Sequence, residues 1–295
     1  IAKIYLDTLS ATEQFSLQQE AAEKLQRRVE IVHQRASSRL DTQADKLSAQ
    51  AALAEKNADL NAARRLSALN RMQLALALGQ QAQAQIEITA VAENFPSTPA
   101  IEETLAATLE TQPALRAQMA SWNVAKATLE SQRAERLPKV VFDVSRMEAG
   151  DFYTQGTNRF VSAGVKLSMP LIDFGVNAKV RARNFEAGES EQKMLQMRST
   201  LIENAYQAYY AYQNAVDMFE AGKAALAKAE LQEQESTAKY NKKLSNLATL
   251  LQDEAAAVAV RVNQVKLRYQ AWSAWADYIK SLGRPYSSAL VMAAQ

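Results

Sequence analysis

One imidazole and no thiol limit the chemistry this chain could perform. His33 is the only histidine and cysteine is absent. Zinc sites draw on several His or Cys ligands, so a zinc centre is nearly excluded. A Ser–His or Cys–His pair would have to recruit His33, which sits in a helical stretch among Gln and Arg and reads as a surface residue. Neither GxxxxGK(S/T) nor GxGxxG occurs, so no glycine-rich loop is available to cradle phosphates. The carboxylates recur as i, i+4 partners of cations, as at Glu20–Lys24 and Glu23–Arg27, the pattern of a solvated helix face. Tyr206, Tyr209, Tyr210 and Tyr212, with Trp272 and Trp275, have the composition of an aromatic cage, but their helical spacing favours packing between helices. These residues predict no catalytic group, no cofactor and no metal, so the chain does not read as an enzyme.

The elements that hold these residues are unusual for a chain of 295 residues. Eight glycines and six prolines are few, while Ala, Gln, Glu, Lys, Leu and Arg dominate, the composition of long helices or coiled coil. A net charge of +2, with cations and anions interleaved, gives no argument for nucleic acid. The lack of cysteine suits an exported, periplasm-exposed protein. No apolar run of eighteen residues occurs, so no transmembrane helix is expected. The chain opens at Ile1 without Met and already in helical pattern, and an N-terminal part is expected to precede it.

Comparing the chain with itself shows a repeat. Displaced by 204 positions, Tyr5 meets Tyr209, Phe15 meets Phe219, Leu47 meets Leu251, and Leu78-Gly79 meets Leu282-Gly283. Each copy reads as a helical hairpin: about Ile1–Ser37 with Thr42–Leu78, then about Val176–Tyr240 with Asn246–Leu282. Gly79 and Gly283 follow the last helical residues, where a left-handed cap costs least. At 1.5 Å per residue the longest helix spans on the order of 100 Å. No single core is that deep, so its apolar stripe must pack coiled-coil fashion on other helices and on neighbouring subunits.

Between the copies, Pro96 and Pro99 mark a connector, Pro113 suits a first helical turn, and Pro138 ends that helix. The period then changes to two. Val140, Phe142 and Val144 alternate with Lys139, Asp143 and Ser145, with Val141 breaking the polar set; Met147–Asn158 reads as a loop, and Val161, Ala163, Val165, Leu167 and Met169 share one face. Two strands of this length predict a β-hairpin long enough to cross a bilayer when tilted. One apolar face opposite a small, polar or basic one is the pattern of an outer-membrane barrel. Phe152, Tyr153 and Phe160, flanking the loop, fit an interfacial aromatic girdle. Pro170 cannot donate to a ladder and suits its end. Gly175 is expected to free the backbone for an elbow from strand into helix.

Leu137-Pro138, the run Gly164-Val-Lys-Leu-Ser-Met-Pro-Leu-Ile-Asp-Phe-Gly175, and the later Tyr240, Leu250-Leu251 and Leu282-Gly283 together resemble the TolC-like outer membrane factors. The resemblance covers about residues 1–284. It implies a mostly α protein with a small β part, in which a homotrimer builds a transmembrane β-barrel continued by a coiled-coil helical barrel through the periplasm. It implies a passive duct, partnered by a periplasmic adaptor and an inner-membrane transporter and embedded in outer membrane lipid. On this basis 1–79 is the first helical hairpin of the tunnel wall, 80–100 a connector and 101–137 short equatorial helices. Residues 138–170 are the transmembrane hairpin, 171–284 the second helical hairpin and 285–295 a tail. Only the second repeat has its β-hairpin in this sequence.

The resemblance also assigns the two helix-to-helix turns to the periplasmic tips that meet the adaptor. There the family usually places Gly before an apolar residue, whereas this chain has Arg39-Leu40 and Lys243-Leu244. A cation in left-handed geometry is disfavoured, so the tip conformation is expected to differ, with a basic rim. Asp45 and Tyr240 stand where a family tip-closing link would form, and Thr249, Gln252 and Asp253 stand at or beside positions that are often acidic and line the lumen. A tip held weakly and attracting cations weakly is expected, with little divalent block in a planar bilayer. Small-molecule efflux is favoured over type I protein secretion. A soluble coiled-coil scaffold is the rival class, separated by its independence of detergent.

Overall fold

The computed structural model describes residues 1–37, 42–84, 86–92, 94–98, 100–150, 157–169 and 174–284. Arg39, Leu40, Pro170 and the tail 285–295 lie outside the described residues. The elements are α1 (Ala2–Ser37), α2 (Gln43–Ala77), α3 (Ile101–Thr108), α4 (Pro113–Ala134), β1 (Lys139–Gly150), β2 (Thr157–Ser168), α5 (Phe174–Asn241) and α6 (Leu247–Ser281). No described helix is long and apolar enough to cross a membrane.

The chain divides into two compact units, residues 1–106 with 203–295, and residues 107–202. In the first, α1, α2, α6 and the later part of α5 pack side by side. Their core is aromatic: Tyr212, Tyr269, Trp272, Trp275 and Tyr278 are buried with Leu6 and Leu9 of α1. The Tyr212 ring lies 5.1 Å from Trp275, and Tyr209 lies 5.7 Å from Tyr278. The connector is strapped to this core through its carbonyls. Trp272 Nε1 donates to Ala92 O at 3.1 Å, and the Tyr212 hydroxyl donates to Pro96 O at 2.7 Å. Burial raises the Tyr212 pKa, so the hydroxyl stays a neutral donor. The aromatic set is therefore packing. His33 is exposed, as expected of a surface residue.

The helix ends repeat as the sequence does. Thr42 Oγ1 accepts from Asp45 N and Asn246 Oδ1 accepts from Thr249 N, each an N-cap with the same offset. At the C-termini, Gly79 (φ 73°) and Gly283 (φ 69°) take the left-handed conformation. Gly79 N donates to Leu76 O and Gln80 N to Ala75 O; Gly283 N donates to Lys280 O and Arg284 N to Ile279 O. Both are Schellman closures, in which the left-handed residue lets two amides reach the last carbonyls.

In the second unit, Leu129 of α4 is buried against Val180 and Ala187 of α5. β1 and β2 form one antiparallel pair, in register from Lys139↔Ser168 to Gly150↔Thr157. Each strand has 12 residues, so pairing runs well into Met147–Asn158, the segment that reads as loop. Glu148 and Arg159 face one another across the ladder and form an ion pair, which a polarity-based reading mistakes for loop composition. Pairing also corrects the expected girdle. Phe160 stands opposite Met147, on the face of Ser162 and Lys166 rather than on the apolar face. Phe152 and Tyr153 lie outside the described residues. Gly175 belongs to the first turn of α5 and is not among the residues with left-handed backbone.

Candidate functional site

Two surfaces can bear function: the tip where α1 meets α2 and α5 meets α6, and the β-hairpin. The tip has a small core of Val32, Ala49, Tyr240, Leu247 and Leu250, all buried. A concavity beside it is lined by Arg35, Asp45, Tyr240, Lys243, Ser245 and Asn246, so Asp45 and Tyr240 are brought together. Arg35 lies over the Tyr240 ring at 5.1 Å. Asp45 Oδ2 accepts from the Thr42 backbone N–H at 2.9 Å and from its hydroxyl at 2.6 Å, which closes a capping box. Those hydrogen bonds hold the Asp45 carboxyl below its ordinary pKa.

Lys243 takes the left-handed backbone expected to disfavour it, with φ 61°. The reason is the same closure seen at the two glycines. Lys243 N donates to Tyr240 O at 2.9 Å and Leu244 N donates to Lys239 O at 2.8 Å, so a Schellman motif ends α5 with a lysine in the glycine position. Leu244 beyond it is 75% exposed. Left-handed geometry costs a non-glycine residue roughly 1–2 kcal/mol, partly offset by the extra unfolded-state freedom a glycine would bring. Lys243→Gly is therefore expected to stabilise the chain by about 0.5–1 kcal/mol, read as a higher thermal midpoint by circular dichroism.

Thr249 and Asp253 each hydrogen-bond within the protomer. The Thr249 hydroxyl and amide both donate to the Asn246 cap at 2.8 Å. Asp253 accepts from Gln232 Nε2 at 2.8 Å and from the Ser236 hydroxyl, tying α6 to α5. Gln252 is exposed. Among the described residues, no group of His, Asp or Glu converges to hold a metal.

Further along the same helices lies a charge network that the sequence did not announce. Lys24 pairs with Glu233 and, at 3.4 Å, with Glu254; Arg28 pairs with Glu254 at 2.8 Å; Arg261 pairs with Glu233 at 2.6 Å. Glu233 and Glu254 have side chains only 8% and 10% exposed. Lys24 thus turns to another helix instead of making the surface pair expected with Glu20. The network joins α1 to α5 and α6.

The hairpin carries its apolar residues on one face. Val140↔Leu167, Phe142↔Val165 and Val144↔Ala163 are direct partners, and Phe142 is 76%, Val144 75% and Leu167 68% exposed. The reverse face pairs Ser145 with Ser162 through a 2.8 Å hydrogen bond and carries Lys139, Asp143 and Lys166. A contiguous apolar face in water marks an interaction surface, and among the described residues no further strand pairs with either outer edge.

The family model described as outer membrane efflux protein matches residues 104–284, more than half of the chain. The chain belongs to that family. Its members are channels of the Gram-negative outer membrane that extend into the periplasm, and this is where the chain resides. The fold is that of solved channels at low identity. The outer-membrane channel OprN superposes with a TM-score of 0.81 at 18% identity, over 97% of this chain and 65% of its own. The outer membrane protein VceC of Vibrio cholerae gives 0.83 at 17%, over 97% and 69%. The open state of the MtrE outer membrane channel of Neisseria gonorrhoeae gives 0.80 at 17%, over 96% and 65%. The chain thus spans about two thirds of the length of these channels. No curated protein matches its sequence.

Proposed function

We propose that this efflux-family chain forms the exit duct of a tripartite pump. Three copies close a β-barrel in the outer membrane and continue it as a helical tunnel, through which small molecules pass passively from an inner-membrane transporter and a periplasmic adaptor. The observation that carries the reading is the exposed apolar face of β1 and β2. From Val161 to Met169 the alternation runs about 27 Å along the strand at ~3.4 Å per residue. Tilted, that length covers most of the ~25 Å apolar band of an outer-membrane barrel. Lipid would cover the apolar face, and neighbouring strands would satisfy the two open edges, since hydrocarbon tolerates only closed sheets.

In this duct α1 with α2, and α5 with α6, form the tunnel wall. The adaptor meets the tips at Arg39-Leu40 and Lys243-Leu244, where the cations give a basic rim. Asp45 and Tyr240 link the closed tip, and Thr249, Gln252 and Asp253 stand near the lumen's narrow end. The chemistry requires no catalytic group or cofactor. The full-length protein is expected to need detergent for extraction, to sediment as a trimer, and to conduct ions in a planar bilayer. A protein recovered from the aqueous fraction as a monomer would instead be a coiled-coil scaffold.

A further inference from the structure

The apolar face of the hairpin does not reach the loop. Beyond Val144 and Val161, the same face carries Arg146, then Glu148 paired with Arg159. Arg146 bonds Glu148 Oε1 at 2.5 Å and Arg159 approaches the same oxygen at 3.1 Å, with the three side chains 61%, 44% and 66% exposed. Two guanidiniums are thereby gathered on one carboxylate. Arg or Lys on the lipid face of a barrel costs about 2–4 kcal/mol at the midplane but only ~0–1 near the interface. The triad therefore belongs at the level where hydrocarbon ends. Both ends of the hairpin lead into helices, α4 before β1 and α5 after β2. The loop end with its triad then lies on the opposite side of the bilayer, at the outer leaflet.

We propose that Arg146 and Arg159 form a binding site for the phosphate of a phosphorylated glycolipid of the outer leaflet, of the lipid A type. The inference rests on the barrel reading of 139–168. One carboxylate cannot occupy the donors of two guanidinium forks, and the triad keeps a net positive charge. A planar fork presents paired N–H groups that match a phosphate bidentately, which an ammonium cannot do. Glu148 holds the two forks side by side, so a phosphate meets donors already aligned. Arg146 and Arg159 share the strand face of Phe142 and Val165, so in the barrel reading the cations are directed to lipid and not to the lumen.

The test uses the full-length channel, stripped of lipid in detergent, with native mass spectrometry to count retained lipid. The probes are bis-phosphorylated lipid A, the same lipid with both phosphates removed, and phosphatidylglycerol. The wild-type channel is expected to retain the phosphorylated glycolipid in preference to the other two. The double variant Arg146→Gln/Arg159→Gln should bind it at least about tenfold more weakly, with the trimer intact, and Arg→Lys at both positions should restore only part of the binding. Equal binding by the glutamine variant, or equal retention of phosphatidylglycerol or the dephosphorylated lipid, overturns the assignment. A cysteine placed by Phe142→Cys separates this from failure of the barrel reading. Its full labelling by a membrane-impermeant thiol reagent in intact membranes overturns both, whereas protection with unchanged lipid binding in the double variant overturns the site alone.

Discussion

Replacing Glu233 by alanine is expected to lower the unfolding free energy by about 2–3 kcal/mol. Removing one partner of a fully buried pair costs about 3–5 kcal/mol because the abandoned charge has no solvent. Here Glu233 is 8% exposed, but Lys24 is 45% and Arg261 31% exposed, so both cations recover some hydration and the cost falls below that range. Lys24 also keeps Glu254 within 3.4 Å. Chemical denaturation of the detergent-solubilised protein, followed by helical circular dichroism, measures the loss. A change below about 0.5 kcal/mol, the level of an ordinary surface pair, would show that the network contributes no more than its exposed counterparts.

The same residue sets an acid dependence with a definite sign. Burial pushes the Glu233 carboxyl up, but the hydrogen bonds and charges of Lys24 and Arg261 outweigh it, leaving the pKa below the ordinary 4.5. Between those two values the unfolded chain takes up a proton that the folded chain refuses, so acidification favours unfolding. The contribution is fully present above about pH 4.5 and disappears as the pH falls through the lower, folded value. Glu233→Gln should therefore flatten the stability profile in that acid window and leave its shape near neutrality unchanged.

How legible these features were depends on whether they are local. The helical hairpins, their starts near Thr42 and Asn246, and the glycines at 79 and 283 could be read because each depends on neighbours a few positions apart. The strands were read too short, since Glu148 and Arg159 look like loop residues until pairing sets them across from one another. The Lys24 network was unreadable. Its partners are more than 200 positions away, while Glu20 stands at an ideal spacing on the same helix and invites the wrong pairing. Lys243 gave the opposite lesson. Side-chain preference alone argues against left-handed backbone, yet the two amide bonds of the closure hold it there. Asp45 and Thr249 were picked out by correspondence with family positions, and both bond to an N-cap residue, which an Asx or Ser/Thr at that distance from a helix start would have indicated.

Phe142→Arg tests the membrane reading on which the duct depends. Phe142 stands mid-way along the apolar face, opposite Val165 and two residues from each of Val140 and Val144. If that face meets hydrocarbon, an arginine there costs about 2–4 kcal/mol in each protomer, and the symmetric trimer incurs it three times. Such a penalty exceeds what a marginally stable domain tolerates, so the variant should fail to accumulate as an outer-membrane trimer. Ser145→Lys supplies the contrast. Ser145 lies on the reverse face beside Ser162, which would be water-filled, so an added cation there should leave assembly intact and alter only the conductance or its ion preference. On a soluble coiled-coil protein the outcomes converge. Phe142 is already exposed to water, so arginine in its place would cost little, and both variants would be recovered in equal yield. Membrane fractionation followed by trimer detection in mild detergent decides between the two.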